Sequence, residues 1–370
     1  MKYYIIAGEA SGDLHGSNLI KALKEQDADA IIRCWGGDLM REAGGDLAKH
    51  YKDMAFMGFL EVIKNIPTIF KNISFCKEDI LNFNPHLIIF IDFSGFNLRI
   101  AEWAKKNNFK TNYYISPQIW ASREGRIKKI KRDIDNMYVI LPFEKDFYEK
   151  KHNYPVHFVG HPLIDAIANT KIVDEPTFRE QNGLDLKKPV IALLPGSRKQ
   201  EVQKMLEIML SVSDGFPEYQ FVIAGAPSLS DSFYTSFLKE KSINYVSNQT
   251  YSLLKYSHAA LVTSGTATLE TALFGIPQVV CYKGNWISYQ IAKRIITLDY
   301  ISLVNLIMNR EVVKELIQSE LTTKNLQKEL SKIIDGNERE RMLKDYALLR
   351  KKLGGKGASQ LAAKLITENA

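Results

Sequence analysis

The sequence predicts an α/β protein made of two parallel-sheet units in tandem. Three observations predict it. The chain has 370 residues, more than one hydrophobic core usually holds. Apolar runs of strand length alternate with segments of helical periodicity, which is the order of a doubly wound sheet. That alternation begins at residue 2 and restarts at residue 187.

In chain order, the apolar run KYYIIAG reads as a first strand, DLHGSNLIKALKE as a helix and AIIRCWGG as a second strand. HLIIFIDF (86–93), a helix near 98–107, FKTNYYIS (109–116) and MYVILPF (137–143) continue the pattern. The polar, weakly periodic stretch NTKIVDEPTFREQNGLDLKK (169–188) reads as a linker. KKPVIALLPGSR (187–198) then opens the second unit, with a helix to about 212, YQFVIAGAP (219–227), INYVS, AALVTSG (259–265) and PQVVCY (277–282). From about 286 onward the chain reads as mostly helical. The boundary falls near 165, giving units over 1–165 and 166–344, and the last helix, about 345–370, is a candidate to pack back on the first. A ligand cleft between the two units is the expectation.

Composition narrows the class of protein. With 45% hydrophobic and 25% charged residues and 12 prolines, the chain folds rather than staying disordered. Cys34, Cys76 and Cys281 lie far apart without C-x-x-C spacing, which argues against a disulfide framework or a zinc site. The N-terminus lacks the pattern of a secretory signal, and no apolar run approaches the length of a spanning helix, so a cytoplasmic location is expected. A net charge of +7 suits nucleic acid, anionic lipid or a phosphorylated substrate, and the sign alone does not choose among them.

Four strand-to-helix turns carry candidate chemistry. GEASGDLHG (8–16) follows the first strand, but its glycines at 8, 12 and 16 fit neither G-x-G-x-x-G nor a P-loop. Glu9 and Asp13 would repel a pyrophosphate, so Ser11, Gly12 and Asp13 suit sugar hydroxyls; capping of the following helix by Ser11 and Asp13 explains these two residues equally well. In IDFSGFN (91–97), Asp92 stands at the carboxyl end of a central strand, where ligands bind. It is a candidate general base for a hydroxyl nucleophile, or a turn-forming aspartate.

LLPGSRKQE (193–201) combines Gly196, Ser197 and Arg198 at a helix start, a set that suits a diphosphate. TSGTATLETALFGIP (263–277) repeats the geometry with Ser264, Gly265 and Thr266. Glu270, on the helix that follows, is placed either to accept from both hydroxyls of a ribose or to be a solvated helix residue.

Two further stretches bear on surfaces. WASREGRIKKIKRDID (120–135) has six Lys/Arg against three acids, with Ile127, Ile130 and Ile134 at helical spacing. It reads as a solvated amphipathic helix or as a face toward anionic headgroups. MAFMGFLEVIKNIPTIFKNISF (54–75), broken by Pro67, reads as core or as an exposed acyl-binding patch that includes Leu60, Val62, Ile63, Ile66, Ile69 and Phe70.

Together GEASGDLHG, MGFLEV, IDFSGFN, YYISPQIWA, LPFEKDFY, FVGHPL, LLPGSRKQE, SGTATLE and DYISLVNLI, in this order through nearly the whole chain, resemble the lipid-A-disaccharide synthase family. These are inverting glycosyltransferases (family 19) of the GT-B fold. The resemblance implies that UDP-2,3-diacylglucosamine is joined to 2,3-diacylglucosamine 1-phosphate with release of UDP, without a metal or other cofactor and without nucleic acid as partner. It implies that Asp92 is the base on the acceptor 6-hydroxyl and that Arg198 steadies the leaving diphosphate. Glu270 would hold the ribose, Asn305 would line the donor pocket, and Ser11, Gly12 and Asp13 would face the reacting sugars. It further implies a cytoplasmic protein peripherally attached to the anionic inner face of the inner membrane; oligomeric state stays open. The lack of a D-x-D pair near the PGSR turn fits a metal-free donor site.

Three positions depart from the family pattern. Ser122 replaces an aromatic after the tryptophan of SP-x-x-WA, Val304 replaces the proline of SLPNL, and His15 stands where the family requires no histidine. The first bears on the shape of the acceptor region, and the third weakens the case for His15 as the base. Another GT-B enzyme acting on a UDP-sugar, such as a peptidoglycan-type N-acetylglucosaminyltransferase or a UDP-N-acetylglucosamine 2-epimerase, shares the donor-side features. A non-catalytic lipid-binding relative would share the fold.

Overall fold

The computed structural model describes residues 1–53, 66–197, 199–226, 229–237, 243–284 and 298–370. The chain forms two compact units: Met1–Ala168 together with Leu353–Ala370, and Asn169–Lys352.

The first unit holds a seven-stranded sheet in the order β3-β2-β1-β4-β5-β6-β7. Its strands are β1 (Lys2–Ala7), β2 (Ile31–Gly36), β3 (Asp46–His50), β4 (Leu87–Ile91), β5 (Lys110–Tyr114), β6 (Asn136–Val139) and β7 (His157–Phe158). All pairs are parallel. Every residue of β4 and all of β1 after Lys2 is buried, which is why both read as unbroken apolar runs: helices cover both faces of the sheet. Each fully buried isoleucine there contributes about 1.5–3 kcal/mol.

Several polar side chains in this core pair with one another. The Trp35 indole donates to the Tyr4 hydroxyl at 2.8 Å, and that hydroxyl donates to Asp79 at 2.6 Å. Arg33 forks onto the same carboxylate.

Strand order reverses between β1 and β4, so their carboxyl ends flank the crevice where open α/β sheets take ligands. The helices α1 (Ala10–Gln26), α2 (Asp38–Glu42), α3 (Ile66–Phe83), α4 (Ser94–Lys106), α5 (Ile127–Asp133) and α6 (Pro142–Asp146) belong to this unit. So does the C-terminal helix, Ala358–Glu368, which packs on α1. Asp165 fixes its start by accepting from the backbone N–H groups of Gly357 (2.7 Å) and Ser359 (3.3 Å).

The second unit has a six-stranded parallel sheet in the order β10-β9-β8-β11-β12-β13. The strands are β8 (Val190–Leu194), β9 (Gln220–Gly225), β10 (Asn244–Ser247), β11 (Ser257–Thr263), β12 (Gln278–Tyr282) and β13 (Lys314–Ile317). Here the order reverses between β8 and β11, whose last paired residues are Leu194 and Val262.

Several elements differ from the sequence reading for identifiable reasons. Strand β13 lies inside a stretch read as helical; its buried residues include Glu315, so no apolar run announces it. Edge strand β3 (DLAKH) is equally polar. The stretch read as a linker contains a helix, Glu175–Gln181, whose start is capped by the Asp174 side chain accepting from Thr177 N–H. Pro67 does not break a helix: it sits in the first turn of α3, where its missing N–H costs nothing.

Candidate active site

In the first unit the loops after β1 and β4 stand side by side, since Ala7 and Ile91 are register partners. Asp92 follows β4 directly and, with Phe93, takes left-handed backbone angles (φ 43 and 46). Such a conformation costs about 1–3 kcal/mol for a non-glycine residue and persists only where contacts impose it. Those contacts are visible. The Asp92 carbonyl accepts from the Asn97 side-chain amide at 2.8 Å and from the Tyr113 hydroxyl. Asn97 also donates to the Ile91 carbonyl at 3.2 Å. The Phe93 ring occupies the space where a side chain at residue 8 would begin, so Gly8 is required for this turn to form.

The Asp92 carboxyl is raised to about 6, first by burial and then by the nearby Glu9 carboxylate, with the Phe93 N–H opposing. A carboxylate of that basicity suits proton abstraction near neutral pH. If it acts as a base, kcat/KM falls about tenfold per pH unit below pH 6, because only the ionised form accepts a proton. A pH–rate profile on the acidic limb checks this, and a limb breaking near pH 4 would assign the role elsewhere.

The other predicted residues of the first loop separate. Ser11 is exposed at the start of α1. Gly12 is buried against Ala7, where a Cβ would sit 3.0 Å from the alanine methyl, so it serves close packing of helix on strand. Asp13 is 4% exposed and its carboxylate accepts from the N–H groups of Gly37 (2.7 Å), Met40 (3.0 Å) and Leu39 (3.2 Å). That corrects its reading as a sugar contact: the carboxylate is consumed in holding the start of α2. His15 is buried and pushed down to about 4 by burial, hence neutral at physiological pH.

Glu144, a residue the sequence reading passed over, ties two motifs together. Buried at the third position of α6, it accepts from Ser116 Oγ (2.6 Å) and Trp120 Nε1 (3.1 Å) of SPQIWA. It also accepts from the N–H groups of Ile140 (3.1 Å) and Leu141 (2.9 Å). Burial raises its pKa, and these four donors oppose the rise. The signal in the sequence was Pro-x-Glu at a helix start, half of a capping box.

The basic run resolves into roles. Ile127 and Ile130 are buried, while Lys129 and Arg132 pair with Glu102 of α4 at 3.7 and 3.2 Å. Of the apolar set, Leu60, Val62 and Ile63 lie outside the described residues, as does the side chain of Ile66. Ile69 is half-buried and packs one side against the core. Phe70 is 63% exposed, with Phe75 and Leu81 of the same helix also exposed. Among the described residues no helix is long and apolar enough to cross a membrane.

In the second unit the turns after β8 and β11 are neighbours in the same way. Gly196 (φ 110) and Gly265 (φ 145) take angles that side chains rarely adopt, and the space around Gly265 is open. Ser197 follows Gly196; Arg198 lies outside the described residues. Ser264 Oγ donates to the Ile301 carbonyl at 2.9 Å, and Thr266 is exposed at the start of α7 (Thr266–Leu273). Glu270, half-buried on α7, accepts from the Tyr251 hydroxyl at 2.8 Å, and burial raises its pKa.

Asn305 is 0% exposed and its amide is fully engaged. Its oxygen accepts from Val312 N–H (2.8 Å) and Val313 N–H (3.0 Å), and its nitrogen donates to the Val313 carbonyl and Glu315, each at 2.9 Å. Glu315 in turn accepts from Ile301 N–H (3.0 Å) and Ser302 N–H (2.9 Å). This corrects the expectation that the Asn305 side chain lines the donor pocket: it shapes the 301–315 turn from within.

Two parallel α/β units, each with loops gathered at its switch point, define a GT-B fold, and solved structures share it. UDP-GlcNAc 2-epimerase from Neisseria meningitidis, solved bound to UDP-GlcNAc, aligns with a TM-score of 0.71 over all of both chains at 14% identity. The glycotransferase of kitacinnamycin aligns at 0.68 and 12% identity, covering 99% of this chain and 98% of that one. At such identities the likeness is one of fold. The sequence goes further: the family model for lipid-A-disaccharide synthetase matches residues 3–368, and the chain belongs to that family. The lipid-A-disaccharide synthase of Trichlorobacter lovleyi is 39% identical over 369 residues, covering 98% of this chain and 96% of the relative. That of Coxiella burnetii is 38% identical over 367 residues with the same coverage.

Proposed function

We infer that this chain is an inverting hexosyltransferase that joins UDP-2,3-diacylglucosamine to 2,3-diacylglucosamine 1-phosphate, giving the β-1′,6-linked disaccharide 1-phosphate of lipid A synthesis and UDP. The observation that carries this reading is the family match from end to end, together with a strained, half-buried carboxylate at the switch point of the first sheet. In this reading the first unit takes the acceptor and the second the donor. Asp92 removes the proton from the acceptor 6-hydroxyl as that oxygen bonds to the donor anomeric carbon. The bond from that carbon to the diphosphate oxygen breaks on the opposite face, and UDP leaves with the electron pair.

Gly196, Ser197, Ser264, Gly265 and Thr266 are the candidate backbone and hydroxyl donors to the diphosphate, and Glu270 the acceptor for the ribose hydroxyls. Arg198 carries the guanidinium of the same set. Arg198→Ala is expected to weaken UDP binding about tenfold or more, with Arg198→Lys restoring only part, because a guanidinium fork fits a diphosphate where an ammonium does not. Calorimetric titration with UDP checks this, and an unchanged affinity removes Arg198 from the site.

Exposed Phe70, Phe75 and Leu81 support peripheral attachment to a membrane, with anionic headgroups attracting Lys128 and Lys131 of α5, which have no ion pair among the described residues. Phe70→Ser is expected to reduce sedimentation with anionic liposomes while UDP affinity and melting temperature stay at parental values. Undiminished sedimentation would place the membrane face elsewhere.

Incubation with UDP-diacylglucosamine tests the reading: UDP release that depends on the acylated acceptor supports it. Epimerisation of UDP-N-acetylglucosamine without disaccharide would replace it with the epimerase reading, and no turnover of either substrate with the non-catalytic one.

A further inference from the structure

Arg126 lies beside the turn that carries Asp92, hydrogen-bonded to Ser94, and Arg99 and Arg123 each lie within electrostatic range of it. Around them, cations that have carboxylates within reach use them: Lys105 with Asp135, Lys129 with Glu102, Arg132 with Glu102 and Asp133. Among the described residues, none of the three arginines has a carboxylate at ion-pair distance.

Two of them are fixed to the first turn of α4. Arg126 Nη1 donates to Ser94 Oγ at 3.0 Å, and Arg99 Nη1 donates to the Gly95 carbonyl at 3.1 Å. Arg126 is half-buried, Arg99 and Arg123 are exposed, and Arg123 is held in a left-handed turn (φ 60). Burial and the two neighbouring guanidiniums all act against the charge of Arg126. Like charges gathered on a partly buried guanidinium are unfavourable until an anion joins them. The approach is open, because a Cβ at Gly95 or at Gly125 would meet nothing within 4 Å. At that spot the first amides of α4, those of Ser94 and Gly95, have no intrahelical acceptor.

We propose that Arg99, Arg123, Arg126 and Ser94 form a phosphomonoester subsite beside Asp92, occupied by the phosphate on the anomeric carbon of the acceptor sugar. The proposal rests on the disaccharide-synthase reading and deepens it. A phosphomonoester has several terminal oxygens and close to two negative charges, so it takes planar forks from more than one guanidinium. Ser94 follows Asp92 by two residues, at most about 7 Å of chain. In a hexopyranose C1 and C5, the carbon that bears C6, both flank the ring oxygen, so the 6-hydroxyl and the anomeric substituent project from the same edge of the ring, and a sugar with its hydroxyl at Asp92 reaches the neighbouring arginines with its phosphate. The same arginines would thereby set the acceptor apart from unphosphorylated diacylglucosamine and fix which hydroxyl meets the base.

The test compares the parent protein with R99Q, R123Q and R126Q, each first checked for a parental melting temperature. Rates are measured in neutral detergent micelles with UDP-diacylglucosamine and either diacylglucosamine 1-phosphate or the same sugar with a free 1-hydroxyl. The parent is expected to favour the phosphorylated acceptor about tenfold or more in kcat/KM. R126Q and R99Q should erase most of that preference through KM, leaving the rate on the unphosphorylated acceptor and the UDP affinity unchanged. R99Q alters an exposed side chain and carries the test if R126Q does not fold.

Equal losses on both acceptors, or no preference in the parent, overturn the subsite. So does a defect seen only with anionic vesicles, which assigns the arginines to membrane headgroups. If the parent forms no disaccharide from either acceptor, the activity reading fails. Binding of glucosamine 1-phosphate against glucosamine, followed by NMR titration, then decides the subsite alone: a phosphate preference lost in R126Q upholds it, and equal binding overturns it.

Discussion

Asp92→Asn is expected to cut turnover about a hundredfold or more while leaving UDP affinity at the parental level, the scale on which loss of a general base is felt. The substitution separates chemistry from architecture. The turn is held through the backbone carbonyl of residue 92, which accepts from Asn97 and Tyr113, and both contacts survive the change. Asparagine tolerates the left-handed angle as well as aspartate does. The carboxyl pKa is raised from 3.8 to about 6 by burial and by Glu9, so its ionisation costs stability as pH rises between those values and the cost is full above about pH 6. A neutral amide removes that cost, and the variant should be as stable as the parent at pH 7 or slightly more so. Denaturant melts alongside turnover measurements check both halves; turnover near the parental value would remove Asp92 from the chemistry.

The second large effect is on stability. Glu144→Ala strands four donors, on Ser116, Trp120, Ile140 and Leu141, in the interior of the first unit. Each buried donor left unpaired costs about 1–3 kcal/mol, and water entering the cavity recovers part of that. A net loss of about 3 kcal/mol lowers the melting temperature by about 6–12 °C for a unit of this size. Turnover should fall as well, because Glu144 fixes the loop that leads into Arg123 and Arg126. A melting temperature within about 2 °C of the parent's would show that the network adds little to the stability of the unit.

The central strands were legible because burial on both faces writes an apolar run into the sequence, as in LIIFI and VIALL. Edge strands β3 and β13, half polar, left no such mark. Among site residues, what could be read was position along a strand-turn-helix unit, which places Asp92 and the PGS and SGT turns at carboxyl ends of strands. What a side chain meets across the fold could not be read. Asp13 is consumed by amides 24 to 27 residues away, and nothing local distinguishes it from a ligand-facing carboxylate. Asn305 is spent on Val312, Val313 and Glu315, a turn closed by a strand the sequence did not announce. Arg126 looked like one more cation in a basic run, and only the pairing of its neighbours with Glu102 sets it apart.

The claim at the centre of this account is sugar transfer with inversion, carried by Asp92 on an acylated acceptor. The most direct test is to incubate the protein with UDP-2,3-diacylglucosamine and 2,3-diacylglucosamine 1-phosphate and to determine the product by mass and by NMR of its new anomeric centre. The account predicts one disaccharide 1-phosphate with a β linkage to the 6-position and one UDP per linkage formed. An α linkage, attachment at another hydroxyl, or UDP released without disaccharide would contradict it.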